Sequence, residues 1–290
     1  MRAFAYERPT SLGDAFDLLT EHGADARLLA GGTDLIIRLR DGSMQPRTVV
    51  DVKRIAELDG EIRESEDGLT IGAHTVMTDL MRDPRIARDY VALAEGAAVV
   101  GSSQIRNRAT LAGNICNASP AADTAPALLV YDARVIAVGA SGTRTIPIDA
   151  FFVRSGVTTL EPGELVAAIE LPRATVPRGA VHVRRTRRRG HDLASVTLTC
   201  SVQADGITRL AYGSVGPRPM LVVDETGVLA DPAAPDAAKA QRLQVLFRDA
   251  SPSPTSMRAS PDYRLAMLHV LGLRAVATAA ERLARGTAPR

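Results

Sequence analysis

Tryptophan is absent, and only five phenylalanines and five tyrosines occur in 290 residues. Proteins that grip single-stranded nucleic acid stack bases on aromatic faces, so this scarcity argues against that use. An excess of either charge is missing too: 35 basic residues face 33 acidic ones, for a net charge of +2. A general nucleic-acid binder needs a broad cationic face to release counterions, so no nucleic-acid partner is expected. Two cysteines, Cys116 and Cys200, are too few for a disulfide scaffold or for a four-cysteine metal or iron–sulfur site. The five histidines form no His-x-x-x-His pair. No run of apolar residues is long enough to cross a membrane. The first residues carry Glu7 and Asp14 and lack a long apolar core, which is not a secretory pattern. The expected location is cytoplasmic.

What is present is ordinary globular material, 46% apolar and 23% charged. At about 100–200 residues per domain, the length predicts two domains with sizeable cores. Residues 1–55 read as a small α/β unit. Ser11 caps a helix to about Glu21, ended by Gly23. A strand at Arg27–Ala30, a Gly31-Gly32-Thr33 loop, a helix over Asp34–Arg40 and a strand at Thr48–Val52 make a βαβ crossover.

Residues 56–175 read as a second α/β block. It holds a strand at Gly68–His74, helices at Val76–Met81 and Pro84–Val100, and a long polar loop from Gly101 to Asp123. A helix near Ala125–Tyr131 and strands at Arg134–Val138, Thr143–Ile148 and Glu164–Leu171 follow. Pro172–Pro177 suits a linker. Beyond it, Ala180–Arg188, Ser195–Val202 and Thr208–Val215 read as a three-stranded meander. Helices over Asp236–Phe247 and Pro261–Leu283 close the chain, the last with Ser260 as its cap and Pro261 at its first position. The predicted domains are therefore 1–175, with subdomains 1–55 and 56–175, and 176–290.

Two loops carry candidate chemistry. In Leu29-Ala30-Gly31-Gly32-Thr33-Asp34-Leu35, adjacent glycines let backbone N–H groups crowd around an anion, and Thr33 adds a hydroxyl donor. Asp34 would repel a phosphate and is expected to point away. A plain turn is the alternative. The second loop holds Thr110, Gly113, Asn114, Ser119 and Asp123, an inventory of hydroxyls, an amide and a carboxylate that suits a nucleotide cofactor. The alternative is a polar loop that satisfies its own backbone. Neither the G-x-G-x-x-G nor the G-x-x-x-x-G-K-[ST] pattern occurs, which excludes the Rossmann and P-loop fingerprints.

Arg184, Arg185, Arg187, Arg188 and Arg189 form a cationic run, read as a solvated edge, a partner contact or a lure for an anionic electron acceptor. On a continuous strand, Arg184 and Arg188 would face one way, and Arg185 and Arg187 the other. Cys116 reads as a small buried residue or, beside Arg106 or Arg108, a reactive thiolate. Cys200 reads as core. His191 and Asp192 as a base and its orienter is a minor alternative.

The ordered set LAGGTDLIIRLR and QIRNRATLAGNICNASPAADTAPALL resembles the FAD-binding medium subunit of molybdenum hydroxylases, the group of bacterial xanthine dehydrogenase, carbon monoxide dehydrogenase and aromatic-CoA reductases. Phe4–Ala15, Gly213–Pro219 and Ser260–Arg264 extend the resemblance over nearly the whole chain. It implies an α+β fold: a two-part FAD-binding domain of the PCMH/vanillyl-alcohol oxidase type, then a C-terminal domain with a three-stranded antiparallel sheet and helices. It implies that Ala30–Asp34 wrap the FAD pyrophosphate, that Thr110–Asn114 lie along the flavin, that Asp123 meets cofactor hydroxyls, and that Arg184, where relatives often have Lys, lies near the flavin ring. Ala112 stands where the family has a glycine, and Leu193 where some relatives place an aromatic shield.

The implied function is electron transfer from iron–sulfur clusters of a partner through FAD to an acceptor. The implied partners are a small subunit with 2Fe-2S clusters and a large subunit with the molybdenum cofactor, in a dimer of heterotrimers. Thr33-Asp34, where carbon monoxide dehydrogenases tend to have His-Ser, leans away from carbon monoxide as the substrate. A free-standing FAD-dependent oxidase and an interaction module that has lost FAD are the alternatives.

Overall fold

The computed structural model describes residues 2–188 and 190–286. The chain opens with a parallel three-stranded sheet in which Thr48–Asp51 runs between Ala5–Glu7 and Ala26–Leu29. The central strand is buried along its whole length, as parallel strands covered on both faces are. Helix Leu12–His22 starts where Ser11 accepts a hydrogen bond from the Asp14 N–H at 3.1 Å, and it ends at Gly23. Helix Leu35–Asp41 makes the crossover between Ala26–Leu29 and Thr48–Asp51, as the spacing predicts.

The second sheet is antiparallel, ordered Ile62–Ser65, Gly68–Gly72, Leu165–Pro172, Arg134–Gly139, Gly142–Pro147. Its last strand in sequence lies in the middle: Ile169 stands opposite both Ile71 and Val135. The chain therefore leaves this sheet and returns to close it. The apolar pattern could not show this, because alternation reports a strand but not its neighbours.

Two expectations for this block need correction. The single helix over Pro84–Val100 is two helices, Pro84–Asp89 and Val91–Ala98. Tyr90 leaves the helical conformation between them (φ −135°, ψ 42°), and its hydroxyl donates to the carbonyls of Leu171 and Pro172, 3.0 Å from each. The polar loop Gly101–Asp123 contains two short helices, Ser103–Arg106 and Leu111–Cys116. Their caps are Ser102 and Thr110, whose hydroxyls accept from Ile105 and Gly113 N–H groups.

The C-terminal sheet is an antiparallel meander, as expected, but of four strands and not three: Arg178–Arg185, Val196–Gln203, Thr208–Gly213 and Met220–Asp224. The fourth hides behind Pro217 and Pro219, which mask its start in a pattern search. The first strand stops at Arg185 and not at Arg188, because Ser195 N–H donates to the Arg185 carbonyl (2.7 Å) and closes the ladder there. Val196, Leu198, Cys200 and Val202 face an apolar core with Leu268, Ala275 and Ala279 of helix Pro261–Ala284. The helix comes so near that a Cβ on Gly179 would stand 2.1 Å from the Ala279 carbonyl oxygen.

The alternate residues Thr197, Thr199 and Ser201 are also buried, on the face toward helix Thr124–Val130. The first core runs from Ala15 to Leu171 and takes in Ala180 and Ala211 of this sheet. Polar ties join the two halves: Arg282 pairs with Glu95 at 2.6 Å, Arg209 with Asp132, and Ser214 N–H donates to the Pro120 carbonyl at 2.7 Å. Among the described residues no helix is long and apolar enough to cross a membrane.

Candidate functional site: a cleft lined by both loops

The two candidate loops, 79 residues apart in one measured pair, come together in a cleft of about 850 Å³. Two features bring them together. Arg38, on the helix after the glycine loop, donates to the Asn117 amide oxygen at 2.7 Å. Gly31 lies directly on the second loop, where a Cβ would stand 2.0 Å from the Arg108 carbonyl oxygen. Gly32 adopts φ +76°, a left-handed conformation that favours glycine. Among the described residues the backbone N–H groups of Gly32, Thr33 and Asp34 have no protein acceptor. Such a cluster of unengaged donors is the nest that anions take. Asp34 is exposed, makes no capping hydrogen bond and lines the cleft.

Lys53 steadies the loop from below, with its ammonium 3.3 Å from the Ala30 carbonyl and 2.5 Å from the buried Asp51 carboxylate. Burial alone would raise the Asp51 carboxyl; hydrogen bonds from Lys53 and Tyr6 outweigh it and hold the group below the usual carboxylate range.

On the second loop, Thr110, Gly113, Asn114, Ser119 and Asp123 all line the cleft. Thr110 is the helix cap already described. Asn114 accepts from the Thr124 hydroxyl at 2.7 Å, and Ser119 accepts from the Ala121 N–H at 3.2 Å. Ala112 lies within helix Leu111–Cys116 and has no positive φ, so its methyl group is accommodated without backbone strain. Asp123 is buried. One oxygen accepts from Arg184 at 2.7 Å and the other from the Thr197 hydroxyl at 2.9 Å, with His182 Nε2 3.5 Å away.

Of the residues singled out from sequence, Ala30, Gly31, Gly32, Thr33, Asp34 and Leu35 line the cleft with the second-loop set. Leu29 and Arg184 do not. Leu29 packs beneath Gly32, its Cδ1 2.8 Å from where a Cβ there would stand. Arg184 stands behind Asp123. Leu193, from the segment after the first meander strand, is 46% exposed at the rim.

Three further readings are corrected. Cys116 is not a small buried residue: its side chain is exposed and lines the cleft. The arginine run does not alternate along one strand, since the strand ends at Arg185; Arg189 lies outside the described residues. His191 and Asp192 are not a base and its orienter. Asp192 receives Arg187 at 3.2 Å, and the His191 carbonyl receives Arg188.

The cleft also takes residues that no motif marked, among them His74, Leu165 and Val166. They follow one sheet strand and begin another, so only the sheet order brings them to the site. Burial lowers the His74 imidazole from its ordinary value, against the opposing pull of Asp59.

Comparison with known proteins agrees with this geometry. Residues 2–174 match the family described as the FAD binding domain in molybdopterin dehydrogenase, and residues 182–279 the CO dehydrogenase flavoprotein C-terminal domain. The chain is 34% identical to the putative xanthine dehydrogenase FAD-binding subunit XdhB of Escherichia coli K12, over 95% of each chain. It is 34% identical to the carbon monoxide dehydrogenase medium chain of Hydrogenophaga pseudoflava, over 74% of this chain and 75% of that one. Among solved structures, carbon monoxide dehydrogenase from Hydrogenophaga pseudoflava superposes with a TM-score of 0.88 at 30% identity, covering 97% of this chain and 98% of that one. Quinoline 2-oxidoreductase from Pseudomonas putida 86 superposes with a TM-score of 0.86 at 25% identity, over 97% and 98%. With both domains matched in order and the two loops facing one cleft, the chain belongs to the FAD-binding medium subunits of the xanthine dehydrogenase and carbon monoxide dehydrogenase family of molybdenum hydroxylases.

Proposed function

We propose that the cleft holds FAD, with Ala30–Asp34 around the pyrophosphate and Thr110, Gly113, Asn114, Ser119 and Asp123 along the rest of the cofactor. The observation that carries this reading is the glycine loop, whose unengaged N–H groups face a cleft of nucleotide size. Thr33 adds a hydroxyl donor there. Leu35 and Leu29 are scaffold residues, the latter supporting Gly32 from beneath. Arg184 reaches the cofactor through Asp123 and not by direct contact. A bound flavin supplies the one- and two-electron redox chemistry. The chain's own share is to bind it, orient it and surround it with fixed dipoles.

In this reading the electrons come from 2Fe-2S clusters of a small partner subunit and originate at a molybdenum cofactor in a large one. The three chains assemble as a dimer of heterotrimers in the cytoplasm and deliver electrons to a small-molecule acceptor. Two cysteines, one buried in the sheet and one in the cleft, provide no cluster site within this chain. The domains are 1–175 and 176–290, with the first divided near residue 55.

The test is an absorbance spectrum of the purified full-length chain, with the flavin-to-protein ratio, for wild type and Gly32→Val. A ratio near one for wild type and near zero for the variant is expected. A colourless wild type that binds no added FAD would favour the module that has lost its cofactor. A flavin-loaded chain that oxidises a substrate without partner subunits would favour the free-standing oxidase.

A further inference from the structure

A second cavity, of about 430 Å³, lies at the joint between the two halves, where Pro172–Pro177 leads into the first meander strand. It shares no lining residue with the larger cleft. Cavities of this size suit small organic molecules. Tyr90 stands on its wall, at the break between helices Pro84–Asp89 and Val91–Ala98. Leu69, Val176 and Pro177 add apolar surface.

The charged lining is three guanidinium groups and two carboxylates. Two of the cations have acids of their own. Arg88 forks onto Asp89 at 2.8 and 2.7 Å, and Arg173 pairs with Glu64 at 3.0 Å. Arg178 has no carboxylate partner among the described residues. Its Nε is buried without an acceptor, and its Nη2 has only the Asp89 carbonyl, at 3.4 Å. Among the described residues its Nη1 donates to no protein group. Two rings keep the guanidinium in place: its central carbon stands 4.4 Å from the ring centroid of Tyr131 and 5.3 Å from that of Tyr90. A ring attracts the charge but offers no lone pair to the N–H donors. A cation left with so few acceptors in a native fold calls for a physical reason.

We propose that this cavity binds a small organic monocarboxylate, with Arg178 supplying the charge and the donors, and Leu69, Tyr90 and Val176 the apolar wall. The class of ligand follows from the balance of the lining. With Arg88 and Arg173 neutralised by their own acids, one positive charge remains, and it matches one carboxylate. A phosphate dianion would set its second charge against Asp89 and Glu64. The planar fork of an arginine fits a carboxylate, and the apolar wall receives the hydrocarbon part of the acid. The site stands whatever occupies the larger cleft.

The experiment is isothermal titration of the purified full-length chain with sodium benzoate, sodium acetate and inorganic phosphate at equal ionic strength. Benzoate should bind one to one with a millimolar or tighter Kd, acetate more weakly because it lacks an apolar body, and phosphate most weakly. Arg178→Gln should weaken benzoate about tenfold or more, the equivalent of one charge-assisted hydrogen bond. Thr175 is exposed on the cavity wall. Thr175→Glu therefore adds a carboxylate there without removing a packed group, and it should weaken benzoate similarly. Flavin content should stay at the wild-type level in both variants.

A wild-type chain that binds no benzoate would overturn the proposal, as would phosphate binding as tight as benzoate binding. So would wild-type benzoate affinity in a folded Arg178→Gln chain, since the acid would then sit elsewhere. Should Arg178→Gln fail to fold because its contact with Tyr131 is lost, Thr175→Glu decides, and unchanged affinity there would count against the cavity. Flavin lost together with benzoate affinity would trace the acid to the larger cleft and also defeat the assignment.

Discussion

Gly31 lies so close to Arg108 that any Cβ at Gly31 would stand 2.0 Å from the Arg108 carbonyl oxygen. The neighbour is backbone and has no rotamer to change. The two loops of the cleft are thus held at a separation that only glycine permits at position 31.

Gly31→Ala should therefore force the loops apart. Overpacking against backbone costs about 1–3 kcal/mol, and the displaced donors should release FAD. Flavin-to-protein ratio and urea midpoint should fall together. A normal ratio in a folded Gly31→Ala chain would show that the close approach is not needed for binding.

Arg242 and Asp224 make a second prediction, remote from the cleft. Asp224 is fully buried at the end of the fourth meander strand and receives Arg242 at 2.6 Å, with the Thr226 hydroxyl and the Leu229 N–H. Arg242→Met leaves a buried carboxylate short of its cation and should cost about 3 kcal/mol. The measurement is denaturant unfolding. Flavin content of the folded fraction should stay at the wild-type level.

Acid should destabilise the fold in two stages. Burial lowers His74 and His269 below 6.5, so the unfolded chain binds more protons than the folded one as pH falls through 6.5. Their contribution is present above 6.5 and is lost as pH falls toward their folded values. Asp83 and Asp224 are held below 3.8, Asp83 chiefly by Arg85, and Asp224 by Thr226, Leu229 and Arg242 against the cost of burial. Their contribution is lost only below 3.8. Urea midpoints measured from pH 8 to pH 4.5 should decline, and His74→Gln with His269→Gln should flatten that decline. An equal slope in the double variant would rule the histidines out as its cause.

Arg188 is exposed, and among the described residues its guanidinium donates only to the His191 carbonyl, so its charge faces solvent. Arg188→Glu should slow reoxidation of the reduced flavin by ferricyanide, a trianion, by about tenfold at low salt. A neutral quinone should be unaffected. The difference should vanish as the Debye length shrinks from about 10 Å at 0.1 M to about 3 Å at 1 M. Stopped-flow traces over a salt series read this directly, and equal ferricyanide rates at low salt would leave the rim without a steering role.

Reading the sequence succeeds where the signal is local. Ser11 and Ser260 are capping residues by type and position, and each accepts the predicted first-turn hydrogen bond. The glycine loop and the second loop are likewise legible as motifs. The reading fails where a distant group decides. The break at Tyr90 depends on carbonyls at Leu171 and Pro172, more than 80 residues away, and nothing in the local apolar pattern announces it. The end of the strand at Arg185 depends on Ser195, and the position of Arg184 depends on Asp123.

Short-range pattern thus marked the glycine loop and the helix starts, because each depends on residue type within a few positions, and the family came from the resemblance of the chain's ordered motifs. Only the tertiary structure placed Leu165–Pro172 at the centre of its sheet, brought His74 to the cleft, and paired Arg184 with Asp123. The reason is physical. A backbone hydrogen-bond ladder or a buried ion pair is completed by whichever chain arrives in space, and the free energy that selects that partner is spread over the whole core.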